Sequence, residues 1–464
     1  MTAESAAFDA FERKMRDADL PRLAIDTFRH YFEQLLGGAS GLIDESEIEP
    51  ARGLAELDAL QDFAAAGREA LAHAAVIKLN GGLATSMGMT RAKSLLEIKP
   101  GLSFLDASAE QVLALREENS CPVPLLLMNS FRTRDDSLEA LARHPLAIAG
   151  LPLDFMQHRI PRIDAASLRP LAWEPNPLHE WCPPGHGDLY TALVTSGALD
   201  ALRGAGVRYA FVSNSDNLGA TLELRILGWM VSEGLPFVME VTERTAADRK
   251  GGHLALRRSD GGLILREAGQ CSEVDTAAFQ DIERHRFFNT NNLWLDLEAL
   301  QRTLESRAFV LGLPMIRNEK RCDPLDAASP LAIQLETAMG AAIGVFQGAR
   351  ALNVPRTRFA PVKTTSDLLA VMSDAYVLTD DRRVVRHPDT AADLVIELDD
   401  RFYRRVDHFL ERVPHGVPSL RCCHSLRVSG DHAFGRGVVI EGDVALVNDR
   451  AEPVAIPDRA RLSG

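Results

Sequence analysis

Residues 75–88 read Ala75-Val76-Ile77-Lys78-Leu79-Asn80-Gly81-Gly82-Leu83-Ala84-Thr85-Ser86-Met87-Gly88. A short apolar run breaks into a pair of glycines. The run predicts a buried strand. The glycines predict a loop at its carboxyl end, where successive main-chain N–H groups can gather around an anion. Lys93 follows closely and can add positive charge for phosphates. The spacing is neither GxGxxG nor Walker A, which argues against dehydrogenases and P-loop ATPases. The glycines alone fit a plain strand-to-loop turn equally well.

The same texture repeats outward from this stretch. Short apolar runs recur at 124–128, 209–213 and 236–241, separated by helical patterns at 107–118 and 222–232. Strands alternating with helices predict an α/β domain with a largely parallel sheet. Ligands of such sheets bind beyond the carboxyl ends of the strands. Upstream, Leu23, Phe28, Phe32, Leu35 and Leu36 recur at helical spacing until Gly37 and Gly38. Residues 1–73 therefore read as an N-terminal helical segment, 74–375 as the catalytic domain and 376–419 as a connecting helical segment. In 420–464, Val428, Phe434, Ile440 and Leu446 are six apart with glycines between them, and Ile456 and Leu462 repeat the step. That hexad predicts coils of a β-helix, with a β-meander as the alternative.

The 464 residues carry a formal net charge of −14. An acidic surface argues against nucleic acid and against an anionic membrane as partners, while leaving room for a local phosphate site. Six scattered cysteines, with no CxxC pair, read as reduced thiols of a cytoplasmic protein. The early acidic residues do not read as a signal peptide, and no apolar run is long enough to span a membrane.

Four further motifs carry chemistry. Trp181-Cys182-Pro183-Pro184-Gly185-His186-Gly187-Asp188 reads as a stiff, exposed loop that offers a lightly packed histidine to a ligand. In Ser213-Asn214-Ser215-Asp216-Asn217, Asp216 stands just past a strand, where a carboxylate can hold Mg²⁺ beside phosphate; an Asx-turn is the alternative. The amides of Asn289, Asn291 and Asn292 suit sugar hydroxyls. Lys363, in Pro361-Val362-Lys363, reads either as a buried cation aimed at phosphate or as a surface lysine.

In order along the chain, KLNGGLATSMG, LMNSFRTRDDS, PPGHGD, NSDNLGA, EVTERTAADRKGG, FNTNNLW, QLETAMGAA and NVPRTRFAPVKTTSDLL resemble the motifs of the eukaryotic-type UTP–glucose-1-phosphate uridylyltransferases, or UDP-glucose pyrophosphorylases. The resemblance spans most of the chain. It implies a Rossmann-like nucleotidyltransferase domain with a mixed, mostly parallel sheet, plus a small C-terminal left-handed β-helix. It implies transfer of a uridylyl group from UTP to glucose 1-phosphate with Mg²⁺. By the same resemblance Leu79, Asn80, Gly81 and Gly82 hold the uridine, Gln157 reads the uracil, and Gly185, Lys93 and Asp216 meet the nucleotide, with the metal at Asp216. His186, Asn214, Gly251, Glu267, Asn291 and Lys363 surround the sugar phosphate, and Lys93 and Lys363 are the catalytic cations. A different sugar 1-phosphate, or a catalytically inactive binding protein, are the competing readings. The C-terminal domain is a candidate surface for self-association.

The chain leaves the family pattern at Ala84, where glycine is usual, and at Arg91-Ala92, where Gly-Pro is usual. A left-handed backbone at 84 would strain the alanine, whereas a close approach to phosphate would make its methyl an obstacle. Arg91 could compensate with an added phosphate contact.

Overall fold

Ala74–Asn80 forms a central strand, buried along nearly its whole length, and the main sheet grows from it in both directions. The computed structural model describes residues 3–324, 326–391 and 394–464. Across the sheet the strands run Ala55–Glu56, Arg350–Asn353, Phe237–Glu243, Phe287–Asp296, Tyr209–Asn214, Ala74–Asn80, Leu125–Asn129 and Asp154–Met156. Along this path neighbours pair in parallel, except at Phe287–Asp296, which is antiparallel to the strands on either side; Ile48–Pro50, His253–Arg257 and Leu263–Arg266 join the same sheet through antiparallel pairs. The protein is thus a mixed α/β fold with a mostly parallel central sheet. Burial on both faces explains why its strands read as continuous apolar runs rather than alternating ones. Two apolar clusters cover the two faces; one includes Ile77, Leu126 and Val212, the other Val76, Leu125 and Phe211.

The helices start where local chemistry stops the backbone. Phe104–Asn119 begins earlier than its apolar spacing suggests, because Ser103 and Asp106 form a reciprocal capping box. Arg22–Leu36 ends at Gly37 as its sequence predicts. With Ala3–Asp17 it packs a phenylalanine cluster, Phe8, Phe11, Phe28 and Phe32, against Ile160, Ile163 and Leu335 of the main domain. The first 73 residues are not helical throughout: Ile48–Pro50 and Ala55–Glu56 are strands of the main sheet. The segment 376–419 likewise adds strands, Tyr376–Leu378, Val384–Arg386 and Val395–Leu398, to its two short helices.

At the C-terminus, strands Val395–Leu398, Ser419–Ser429, Val439–Val447 and Arg461–Ser463 pair side by side in parallel, and His432–Phe434 pairs with Val454–Ile456. Val428 lies opposite Leu446, three six-residue steps along the chain. The hexad residues share one core, which also takes in Met87 and Leu96 beside the glycine loop. The C-terminal strands therefore share an apolar core with Met87 of the loop that opens the candidate site. Among the described residues, no helix is long and apolar enough to cross a membrane.

Candidate active site

The carboxyl ends of four adjacent parallel strands set one edge of the site. Leu79 lies beside Asn214, Asn80 beside Asn129, and Asn129 beside Met156. The chain leaves these ends through Gly81-Gly82, Ser130, Gln157 and Asp216. Sequence-distant motifs thus meet because parallel strands end in register.

The loop after Asn80 is held from below. The buried Asn80 side chain donates to Asn129 Oδ1 at 2.7 Å and to Ser137 Oγ at 2.8 Å, so it braces the sheet edge and leaves the main chain to face a ligand. Ser130 Oγ donates to the Gly81 carbonyl at 3.1 Å, and the Lys93 N–H closes the loop onto Gly82 O at 3.1 Å. Ala84 adopts φ 48°, ψ 46°, the left-handed conformation that glycine takes without strain. The departure from the family pattern therefore falls on backbone strain. Ala84→Gly should stabilise the protein by about 1 kcal/mol, the left-handed penalty of an L-residue less the added chain entropy of glycine. Denaturant titration checks this; an unchanged midpoint would refute the strain. The exposed Arg91 side chain pairs with Asp136 at 2.9 Å.

The Gln157 amide is held at its nitrogen and turns its oxygen towards Gly81. Its Nε2 donates to Gly185 O at 3.0 Å, and a side chain added to Gly81 would come within 2.8 Å of its Oε1. Gly185 (φ +80°) has no room for a Cβ, which would sit 2.4 Å from Thr337 O. The turn that follows is not the loosely packed exposed loop its Pro-Pro-Gly pattern suggests. Gly187 and Asp188 are buried, and Trp181-Cys182 pairs with Ile160-Pro161. Met339 N–H donates to His186 Nδ1 at 3.0 Å, which assigns the ring proton to Nε2. Burial pushes the His186 pKa down to about 4, so near neutral pH the ring is an uncharged Nε2–H donor.

Asp216 and Lys93 form an ion pair at 2.5 Å, each mostly shielded from solvent. Asn217 next to it is a hub. Its Oδ1 accepts from Gly219 and Ala360 N–H, and its Nδ2 donates to Asn292 Oδ1 and Arg358 O. Asn217 also bridges to Pro361. That bridge brings Lys363 to the Asp216 side of the cleft. Lys363 is exposed rather than buried, yet not loose: its Nζ lies 5.6 Å from the Phe288 ring and 5.7 Å from the Phe359 ring. Gly251 packs on Phe288 so closely that a Cβ would come within 1.9 Å of the ring. Next to it, the Glu267 carboxyl stands over Gly252, and burial raises its pKa.

The asparagines do not act as a row. The register shifts by a bulge between Glu240 and Val241, opposite Thr290 and Asn291. Asn291 takes φ 58°, gripped by the Asn289 amide through bonds of 2.9 and 3.0 Å. A bulge re-aims a side chain out of a sheet. Asn292 stays fully buried instead, donating to Glu240 Oε2 at 3.1 Å. The structure therefore gathers Leu79 to Gly82, Lys93, Gln157, Gly185, His186, Asn214 and Asp216 at one strand edge. Gly251 and Lys363 meet at the Phe288 ring, with Glu267 beside Gly251-Gly252 and Asn291 on the strand that carries Phe288, and the Asn217–Pro361 bridge ties the chain before Lys363 to the Asp216 loop.

Sequence reasoning passed over three buried groups here. Asp188 accepts from His158 N–H and Nδ1, and Lys78 donates to Ser213 Oγ and Ala220 O, both at 2.8 Å. Glu240 pairs with Arg358. The available signal was polarity out of place: Lys78 and Glu240 each interrupt an apolar strand run.

A doubly covered α/β sheet with a glycine loop, a lysine–aspartate pair and a second lysine around one cleft is the framework of a nucleotidyltransferase. The sequence pattern of the UTP–glucose-1-phosphate uridylyltransferase family matches residues 25–441. The chain belongs to this family. It is 42% identical over 391 residues to the UTP–glucose-1-phosphate uridylyltransferase of Solanum tuberosum, covering 84% of this chain and 80% of that one. It is 40% identical over 393 residues to the enzyme of that name from Saccharomyces cerevisiae, covering 84% and 77%. A variant UDP-glucose pyrophosphorylase from Leishmania major, solved in complex with UDP-glucose, superposes with a TM-score of 0.91 at 45% identity, covering 99% of this chain and 98% of that one.

Proposed function

We propose that the protein transfers the uridylyl group of UTP to glucose 1-phosphate, giving UDP-glucose and pyrophosphate. The observation that carries this reading is the Asn217–Pro361 bridge, which ties the chain just before Lys363 to the loop that carries Asp216 and its partner Lys93. The potato and yeast relatives carry that activity in their names, and the Leishmania relative was solved with the product nucleotide sugar.

In the reaction, a phosphate oxygen of glucose 1-phosphate attacks the α-phosphorus of UTP. The bond from that phosphorus to the bridging oxygen breaks, and pyrophosphate leaves with the electron pair. The attacking phosphate is already ionised, so catalysis rests on positioning and charge neutralisation. Gly81 and Gln157 take the uracil. Lys93 neutralises the leaving pyrophosphate, and Lys363 the attacking phosphate and the α-phosphoryl oxygens. The Nε2–H of His186 is free to donate to a phosphate or sugar oxygen. Gly251, Glu267 and Asn291 line the sugar side. Among the described residues no cluster of three or more metal-ligating side chains occurs. One carboxylate, Asp216, with Asn214 nearby, nevertheless suits Mg²⁺, which takes one or two carboxylates and fills its shell with water and substrate phosphates. When bound there, Mg²⁺ would supply positive charge to the phosphate oxygens.

The parallel register of the C-terminal strands supports a short β-helix, and its left hand rests on the family resemblance. All six cysteines are free thiols, in keeping with a reducing, cytoplasmic setting. Pyrophosphate release with UTP and a panel of sugar 1-phosphates tests the activity. Glucose 1-phosphate should turn over fastest. Equal turnover with galactose or N-acetylglucosamine 1-phosphate would overturn the glucose preference, and no release with any sugar would make the chain a binding protein.

A further inference from the structure

We propose that Asp188 and His158 are a positioning pair that sets the preference for uracil over cytosine; this rests on Gln157 being the base reader in the proposed reaction. Asp188 ends the turn that carries Gly185 and His186, and it is buried. Its Oδ2 accepts the His158 main-chain N–H at 2.7 Å, and its two oxygens accept from His158 Nδ1 at 2.9 and 3.0 Å. His158 Nε2 meets Thr195 Oγ1 at 3.0 Å. The residue before His158 is Gln157.

The clamp therefore holds Gln157 from one side, while its own Nε2 is held from the other by Gly185 O. A carbonyl can only accept, so the nitrogen of the amide must face Gly185. That leaves Oε1 turned towards Gly81, where the base would lie. An oxygen there accepts from N3–H of uracil. Cytosine presents a bare N3 acceptor at the same place, and two acceptors repel. Selectivity thus depends on the amide being unable to flip. Asp188 fixes both ends of that restraint, since its own N–H also bonds to Gly185 O at 3.2 Å.

The linked Asp188, His158 and Thr195 resemble a hydrolase triad in connectivity, but the geometry points to positioning. Thr195 Oγ1 is bonded back to Thr191 O at 3.1 Å along its own helix and is not presented as a nucleophile.

The test is calorimetric titration of UTP and of CTP into the full chain, without sugar phosphate, for wild type, Asp188→Ala, Asp188→Asn and His158→Phe. Wild type should bind UTP more tightly. Asp188→Ala should lose about tenfold of the UTP-over-CTP ratio, the worth of one hydrogen bond. Asp188→Asn, which keeps an acceptor for the His158 N–H, should retain part of it, and His158→Phe should fall between wild type and Asp188→Ala. Thermal midpoints measured alongside separate loss of fold from loss of selectivity. A lowered midpoint with an unchanged ratio would make the pair a structural pin and overturn the proposal. Because binding needs no turnover, a failed transfer reaction would show separately in pyrophosphate release.

Discussion

Replacing Lys363 with alanine lowers kcat by about 10²-fold or more, the usual loss when one charge-stabilising donor is removed from a site of this kind. The side chain is well suited to that role. Its Nζ lies against the packed pair of Phe288 and Phe359 rings, which orient the ammonium without neutralising it as a carboxylate would. The main chain is fixed as well: Lys363 and Thr364 N–H both donate to Asp367 Oδ2, which caps the helix Thr365–Met372. A fixed cation loses little reorganisation energy when charge shifts onto the α-phosphoryl oxygens. Lys93 contrasts with it, because Asp216 already balances its charge. Steady-state pyrophosphate release at saturating UTP and glucose 1-phosphate measures the effect. Lys363→Arg keeps the charge and should recover part of the loss. A Lys363→Ala enzyme with near-normal kcat would remove the residue from the mechanism.

Much of this site was legible in the sequence, for a physical reason. Strands buried on both faces stand out as apolar runs, and parallel strands end at one edge. Residues that follow such runs, Gly81 and Asp216, could therefore be placed together before the order of strands was known; Gln157 follows only the three-residue strand Asp154–Met156 and was assigned by the family resemblance alone. Contacts made across large sequence separations were not legible. The Gly185–Asp188 turn looked exposed because Thr337, which fills the space beside Gly185, lies far along the chain. Lys363 read as a surface lysine or a buried cation; it is exposed, and the rings it lies against come from the distant Phe288 and Phe359. The asparagine cluster looked like a row of sugar contacts; a single bulge turns Asn291 out and leaves Asn292 in the core. Strand pattern reports which residues are buried, not where a register slips.

Glu240→Ala is expected to cost about 3–5 kcal/mol of stability, the loss typical of leaving a buried ion without its partner. Glu240 is completely buried. Its oxygens accept from Arg358 Nε and Nη2, both at 2.7 Å, from Trp294 Nε1 at 2.9 Å and from Asn292 Nδ2 at 3.1 Å. Alanine removes the countercharge of a buried guanidinium and strands the indole N–H in an apolar layer at once. Arg358 keeps Thr221 O at 2.9 Å and the longer-range attraction of the Glu223 carboxylate, but loses the carboxylate it is hydrogen-bonded to. The double variant Glu240→Met with Arg358→Met should lose less than the single one, because it takes both charges out together and only the Trp294 and Asn292 donors are left without their carboxylate. Denaturant titration of the three proteins gives the ordering directly. The same network reaches the cleft: the main-chain oxygen of Arg358 accepts from Asn217, and Asn217 ties the Asp216 loop to the segment before Lys363. Glu240→Ala should therefore lower turnover even where the protein remains folded, while the double variant, which keeps that oxygen, should recover activity along with stability. A single-variant loss below about 1 kcal/mol, within the range of an ordinary surface pair, would show that the buried ions are not what holds the two halves of the site in place.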